Sequence, residues 1–437
     1  MPHHGARRSP ANRDSPEPTP KLSLRSSASP MTTTHDRAGT LNVGMIGYGF
    51  MGAAHSHAWR NAHRFFDLSL TPQLRTLSGR TESAVVEAAE RYGFAQTTTR
   101  WQDVIEDPEI DVVDICTPGD THYEIALAAL AAGKHVLCEK PLANSVAQSE
   151  EMTAAAQQAR AQGVRSLCGF SYRRTPALAY ARQLISEGVV GEIRQIRAQY
   201  LQDWLSDADA PMTWRLNKEL AGSGALGDIG AHIIDLTQWL TGQQIAEVSG
   251  TLQTVVPTRP SAGTSQGLGG RGDVSGAREQ VTVDDVALFT ARFDSGVLGS
   301  FEATRMAQGR KNAMRVEING SAGSVAFDFE RMNELEVYDA TAPGGRQGFT
   351  RVLTTEPEHP YAANWWPTGH GLGYEHTFTH QIADLVTAIG EGTDPSPSFE
   401  EALQVQRVLD AVEASSEAGS RWQSTDPQST NTQEGTR

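Results

Sequence analysis

Cysteine is almost absent. Its three copies, Cys116, Cys138 and Cys168, are odd in number, far apart and set within apolar runs. That usage excludes a disulfide frame and a cysteine-rich zinc site, and suits buried thiols in a reducing, cytoplasmic setting. No apolar stretch approaches the ~18 residues of a membrane-spanning helix. Basic residues are also scarce: 37 Lys and Arg face 52 Asp and Glu, a formal net charge of −15. Nucleic acid and anionic membrane are therefore poor partners.

What is present is the content of a globular enzyme: 38% hydrophobic and 20% charged residues over 437 positions, enough for two or three domains. Residues 1–40, a Ser/Pro/Arg/Thr mixture, read as a disordered extension; Arg7-Arg8 has no apolar run behind it to make an export signal. From residue 41 strands and helices alternate. A buried strand over 41–46 runs into Gly47-Tyr48-Gly49-Phe50-Met51-Gly52 and then a helix. Strand, G-x-G-x-x-G and helix in that order form the dinucleotide fingerprint. The first glycine makes the turn, the second admits the pyrophosphate, and the third packs helix on strand. The second strand, near 74–78, ends in Ser78-Gly79-Arg80. An NAD site keeps an acid here for the ribose hydroxyls. Glycine followed by Arg is the pattern for a 2′-phosphate, so the cofactor reads as NAD(P), with NADP favoured over NAD.

Strands over 111–116, 135–138 and 166–170, with helices over 81–92, 101–106, 123–132 and 145–162, complete the series. Asp120 or Thr121 is the expected cap of the 123–132 helix. Such a series predicts a doubly wound parallel sheet with ligands at the strand C-terminal ends, which Gly47, Thr117, Lys140 and Tyr172 follow. Residues 131–141, A-A-G-K-H-V-L-C-E-K-P, are the focus. Gly133 stops a helix, 135–138 is a strand, and Pro141 cannot continue the ladder, so Lys140 stands at the strand tip.

Beyond Pro176 the pattern changes to alternating strands over 193–204, 246–256, 284–293, 296–304, 312–319, 324–329 and 335–338. The expected organisation is an α/β Rossmann domain over 41–170 and an α+β domain with a large, mostly antiparallel sheet over 171–418. Residues 256–280 read as a flexible Gly/Ser-rich insertion. Helices near 374–391 and 399–414 are expected to return to the first domain, and 419–437 to form a disordered tail.

On a helix near 222–240, Asp228, His232 and Asp235 are spaced i, i+4, i+7 and share one face. Burying three polar groups unpaired costs about 1–3 kcal/mol each. A cleft with a hydroxyl-rich ligand would satisfy them, and so would an internal hydrogen-bond network. A metal site lacks a third ligand at close spacing, so none is expected. Just upstream, Trp204, Trp214 and Arg215, with Asp203 and Asp207, offer the aromatic faces and carboxylates that hold sugars.

Together, the fingerprint at 47–52, Thr117-Pro118 with His122, Gly133-Lys134-His135-Val136 leading into Glu139-Lys140-Pro141, and Gly227-Asp228 with His232 resemble the Gfo/Idh/MocA oxidoreductases over nearly all of 41–418. Within that family, 49–56, 172–176, 200–204 and 221–228 are similar to a branch that oxidises the C3 hydroxyl of an anhydrosugar with NAD. The resemblance implies hydride transfer between a nicotinamide and a secondary hydroxyl of a sugar, anhydrosugar or cyclitol. It implies Lys140, Asp228 and His232 as the catalytic set. Tyr172, Arg174, Trp204 and Trp214 would join Asp228 and His232 at the substrate. Cofactor contacts would come from 47–52, Ser78, Gly79, Arg80, Thr117, Pro118, His122, Glu139, Lys140 and Pro141. Oxidising CH–OH needs a base for the proton and a cation for the alkoxide; His232 suits the first and Lys140 the second, although the reverse assignment stays open. Two other activities share such a fold: a nucleotide-binding sensor without turnover, and a hydrolase or epimerase with transient oxidation. A half-exposed sheet also predicts a homodimer or homotetramer.

Overall fold

Short apolar strands alternating with helices build the first sheet of this computed structural model, which describes residues 39–426 apart from 262, 267, 268 and 274. The expected disordered segments at 1–38 and 427–437 lie outside the described residues. The series runs β1 (Thr40–Ile46), α1 (Phe50–Phe65), β2 (Thr71–Ser78), α2 (Glu82–Tyr92), β3 (Gln96–Thr98), α3 (Trp101–Glu106), β4 (Val112–Ile115), α4 (His122–Ala131), β5 (His135–Cys138), α5 (Val146–Arg160) and β6 (Ser166–Cys168). All six strands are parallel, in the order β3-β2-β1-β4-β5-β6. The order reverses between β1 and β4, which opens a crevice above their C-terminal ends. β3 is three polar residues, Gln-Thr-Thr, too short to show a strand period. α4 has no side-chain cap, because the Thr121 hydroxyl turns instead to Thr117 Oγ1 and the Pro118 carbonyl, at 2.7 and 2.8 Å.

The second sheet follows α6 (Pro176–Ser186), an unforeseen helix whose proline occupies the first turn, where its missing N–H costs nothing. Next come β7 (Ile193–Leu201), α7 (Lys218–Ala221), α8 (Ala231–Thr241), β8 (Ile245–Gln253), β9 (Thr258–Pro260), β10 (Gly263–Gln266), β11 (Gly269–Gly272) and β12 (Arg278–Gln280). They are followed by β13 (Val286–Phe293), β14 (Leu298–Thr304), β15 (Ala313–Gly320), β16 (Gly323–Asp328), β17 (Glu334–Asp339), β18 (Thr350–Leu353), α9 (Tyr374–Glu391), α10 (Phe399–Glu417) and β19 (Gln423–Ser424). Nine of these strands form one sheet, β18-β17-β16-β15-β7-β14-β13-β8-β19. It is antiparallel except where β14 runs parallel to β7. Register places Ala198 between Phe301 and Val316, so alternate residues of the three central strands enter one core.

That core is continuous with one face of the parallel sheet: Ile115, Cys138, Ile196, Ile233, Phe301 and Val408 belong to one buried cluster. On the opposite face Val43, Met45, Trp59 and Leu77 pack with Phe378, Ile382, Leu385 and Val386 of α9. Each large apolar side chain so buried contributes about 1.5–3 kcal/mol. The C-terminal helix α9 is thus part of the first layer, against α1.

Two expectations need correction. The insertion at 256–280 is anchored, because β9 pairs with β12. Fully buried Arg259 donates to the Asp207 and Leu205 carbonyls at 2.7 Å each. This stem closes a small separate core of Leu205, Ala210, Leu216, Val281 and Val283, with Trp204 against it. The tail expected to be disordered from 419 instead adds β19 to the edge of β8, and Trp422 packs under the Arg292 guanidinium at 5.2 Å. No helix among the described residues is long and apolar enough to cross a membrane.

Candidate active site

The cofactor half of the site is built from close backbone approaches. Gly47 has φ 102°, and a Cβ on it would lie 2.6 Å from the Cys116 carbonyl oxygen; a Cβ on Gly52 would lie 2.3 Å from the Gly47 oxygen. Only glycine fits at either position. Gly49 faces open space, with nothing within 4 Å of its Cβ position. α1 begins there without a side-chain cap, which leaves first-turn N–H groups and a positive dipole end for a phosphate. These features fit a dinucleotide. Met51 is half-buried in the first turn of α1, while exposed Phe50 stacks on Tyr374 of α9 at 6.2 Å. The Ser78 carbonyl accepts from Gly47 N at 3.0 Å. The Tyr48 ring lies over Gly79, where a Cβ would come within 1.9 Å of it. Arg80 is exposed and has no hydrogen-bond or ion-pair partner among the described residues.

Thr117 and Pro118 leave β4, and His122 ties that exit to the end of β5. Its Nε2 lies 2.9 Å from the Thr117 carbonyl and its Nδ1 3.0 Å from the Pro141 carbonyl. Glu139 is buried: its Oε1 meets His55 Nε2 at 3.0 Å and its Oε2 accepts from Lys140 N at 3.3 Å. The His122 and Glu139 side chains are thus both occupied in fixing the loops around Lys140. On the other side of His55, Asp114 lies at 3.0 Å and also accepts from Trp59 Nε1 at 2.7 Å. Burial opposes a charge on His55, but Asp114 and Cys116 together outweigh it and raise the pKa well above the ordinary value. His55, Asp114 and Cys116 are close enough to share an ion, yet both imidazole nitrogens already face carboxylates.

The reactive half forms where β5 meets the start of α8. Lys140 Nζ donates to the Asp228 carbonyl at 2.5 Å and lies 3.5 Å from Asp228 Oδ1. Asp228 sits in a π-helical turn, Leu226–Gly230, that opens into α8. Asp284 caps this turn by accepting from Gly224 N at 2.7 Å and Leu226 N at 2.8 Å. Glycine at 224 is required because a Cβ would fall 1.8 Å from the Asp284 oxygen. Burial pushes the Asp228 carboxyl up, but Lys140, Arg305 and Arg215 hold it below the usual range. His232, one turn on, is pushed well below its ordinary value by burial and by Lys140, so it is a neutral imidazole near pH 7. Tyr172 packs on its ring at 4.5 Å, with Phe170 and Tyr200 at 5.9 Å, and its buried Nδ1 has no protein partner. A cation, a carboxylate and an unpaired neutral imidazole thus converge at the strand ends, as proton transfer from a hydroxyl requires.

Around them Tyr172, Tyr200, Asn312, Gln202 and Trp204 form a hydrogen-bonded chain with links of 2.6–2.9 Å. Trp204 also lies under the Arg305 guanidinium at 5.5 Å. Trp214 is exposed and stacks on Arg215 at 4.5 Å. Arg174, expected at the substrate, is corrected: it is buried, donating to Asp384 at 2.8 Å and to the Ser396 carbonyl at 2.6 Å. Asp235 also leaves the expected face, paired with Arg173 at 2.5 and 2.8 Å. Sequence reasoning missed Arg305, Asn312, Tyr374 and His55. Arg305 alone carried a usable signal, since it continues the inward parity of Phe301 and Ala303 on β14.

A parallel dinucleotide sheet joined to an open mixed sheet, with Lys140 and His232 where they meet, defines an NAD-binding oxidoreductase. The chain belongs to the Gfo/Idh/MocA family. Residues 41–165 match the oxidoreductase family's NAD-binding Rossmann fold and residues 178–326 the Gfo/Idh/MocA C-terminal domain. Levoglucosan dehydrogenase of Pseudarthrobacter phenanthrenivorans is 43% identical over 375 residues, 85% of this chain and 95% of that one. An oxidoreductase domain protein from Kribbella flavida superposes with a TM-score of 0.84 at 59% identity, covering 89% of this chain and 99% of that one. A levoglucosan dehydrogenase solved with NADH and levoglucosan superposes at 0.82 with 41% identity, covering 88% and 99%.

Proposed function

We propose that this chain is an NAD(P)-dependent dehydrogenase for the secondary hydroxyl of a neutral sugar, with an anhydrosugar such as levoglucosan first among its substrates and cyclitols next. The observation that carries this reading is the convergence of Lys140, Asp228 and the neutral imidazole of His232. The 47–52 loop, Ser78-Gly79-Arg80, Thr117-Pro118 and the Lys140-Pro141 end of β5 would hold the cofactor. When bound, it supplies the hydride acceptor. Lys140 Nζ donates to the substrate oxygen and stabilises the alkoxide. The His232 imidazole takes the hydroxyl proton, and Asp228 steadies the imidazolium that results. Tyr172, Trp204 and Trp214 shape the sugar side.

Exposed, unpaired Arg80 beside Gly79 supports NADP use in addition to the NAD binding of the family. The open face of the nine-stranded sheet, which exposes Leu288 and Leu298, supports a homodimer or homotetramer; a monomer mass in light scattering would exclude both. Buried free thiols accord with a cytoplasmic setting. The deciding experiment is initial rates with NAD+ and NADP+ against levoglucosan, glucose, xylose and myo-inositol. Reduced-nicotinamide absorbance with one of them supports the reading. No turnover across the panel, with cofactor binding intact in calorimetry, counts against it.

A further inference from the structure

Arg305 lies just beyond β14 with a fully buried side chain. Its Nη2 donates to the Asp284 carbonyl at 2.9 Å, and Trp204 covers its guanidinium. Its Nε and Nη1 have no hydrogen-bond partner, and Nη1 stands 3.6 Å from Asp228 Oδ2. A buried guanidinium with unpaired N–H groups is costly. The carboxylates that offset the cost are Asp284, which Arg305 also stabilises, and Asp228, which meets Lys140 through Oδ1 and Arg305 through Oδ2. Asp284 serves both ends of this arrangement. Its carboxylate caps the turn that carries Asp228, and its carbonyl holds the cation that faces Asp228.

We propose that Arg305 is the positioning residue of the site, holding Asp228 ionised and oriented while Lys140 is drawn toward the substrate oxygen. This deepens the dehydrogenase reading and rests on it for its catalytic consequence. Without Arg305, Asp228 would lose its second counterion when Lys140 turns to the alkoxide, and would compete with His232 for the substrate proton. The other groups facing Asp228 are Arg215 from the 214–216 turn, His232 from α8 and the hydroxyls of Tyr172, Tyr200 and Tyr374. None of these contacts Oδ2 in the way that Arg305 does.

The test compares wild type, Arg305→Gln and Arg305→Lys with NAD+ and levoglucosan over pH. Arg305→Gln is expected to lower kcat by at least about tenfold and to move the acid limb of kcat/KM upward by about one pH unit, with NAD+ affinity kept. Arg305→Lys, which keeps the charge, restores the limb to near its wild-type position. An unmoved limb in a folded Arg305→Gln protein overturns the proposal. A wild type inactive on every sugar would count against the dehydrogenase reading alone. Arg305 is then judged by infrared titration of the Asp228 carboxylate, assigned by difference from Asp228→Asn. If Arg305→Gln does not fold, the same titration in Lys140→Met decides. Asp228 must still ionise below the ordinary aspartate value of about 3.9, and a higher value overturns the role.

Discussion

Asp228 and Asp235 stand seven residues apart on one helical run, yet they serve different cations. Asp228 faces Lys140 and Arg305 across the cleft, whereas Asp235 is locked bidentately to Arg173 in the interior. Arg173 also reaches Glu401 at 2.6 Å, so that pair joins α8 to α10. Removing one partner of a buried ion pair leaves an uncompensated charge. Asp235→Asn should therefore cost about 3–5 kcal/mol of stability, seen as a lower Tm, with kcat of the folded fraction changed by less than about threefold. Asp228→Asn should do the opposite: a kcat loss of about a hundredfold or more with a small change in Tm. Equal losses of activity in the two variants would contradict the division.

Stability should peak near neutrality, and the histidines give the sign on each side. Burial lowers His135 to about 4 and His380 to about 3, and pushes His232 well below 6.5. Below pH 6.5 the unfolded chain binds protons that these folded residues refuse, so stability falls as acid is added, by about 1.4 kcal/mol per pH unit for each such group. His380 shows the physical reason, because its Nε2 accepts from Trp365 Nε1 at 2.7 Å and protonation would remove that acceptor. His55 has the opposite sign. Its folded pKa is raised above 6.5, so its contribution is complete below 6.5 and is lost as pH rises through the folded value. Thermal scans from pH 4 to 9 should show a dome. A Tm that climbs steadily toward pH 4 would be incompatible with these environments.

The parallel sheet was legible because its strands are continuous apolar runs between helices, and 135–138 was placed to the residue. Position alone placed Lys140 at a strand tip and Asp228 with His232 at a helix start, and only the resemblance of E-K-P and G-D-x-x-x-H to the family joined them; the structure brings Lys140 to Asp228. Arg174 was misplaced because a local motif does not reveal Asp384, 210 residues away, as its partner. Asp235 was misplaced because the spacing i, i+4, i+7 reveals neither the π-helical turn at 226–230 nor Arg173 as its partner. The stem of the insertion was hidden for a related reason. β9 and β12 are three residues each, and what anchors them is a buried arginine reading backbone carbonyls, which leaves no pattern in composition.

The proposed NADP use turns on Arg80. Gly79 cannot carry an acid in the present backbone, since the Tyr48 ring occupies the space that its Cβ would need. On the proposed reading, the ribose end would meet exposed Arg80 instead of a carboxylate. Arg80→Ala should raise KM for NADP+ by about tenfold or more while leaving KM for NAD+ within about twofold, because a guanidinium–phosphate contact exists only with the 2′-phosphate. Equal effects on both cofactors, or none on NADP+, would assign Arg80 to the solvent.

Lys140 and His232 are coupled, and the pH–rate profile should show it. Lys140 lowers the His232 pKa while Asp228 raises it. If His232 accepts the proton, the acid limb of kcat/KM must lie below the pH 6.5 of an ordinary histidine. Lys140→Met removes the cation proposed to stabilise the alkoxide and should cut kcat by about 10²–10⁴-fold with NAD+ binding retained in calorimetry. The same substitution relieves the repulsion on His232, so the residual activity should titrate at higher pH than in wild type. Asp228→Asn should move the limb the other way as far as His232 alone governs it. A limb that follows Lys140→Met downward, or a His232→Ala protein with full turnover, would make Lys140 the proton acceptor and leave His232 as packing for Tyr172.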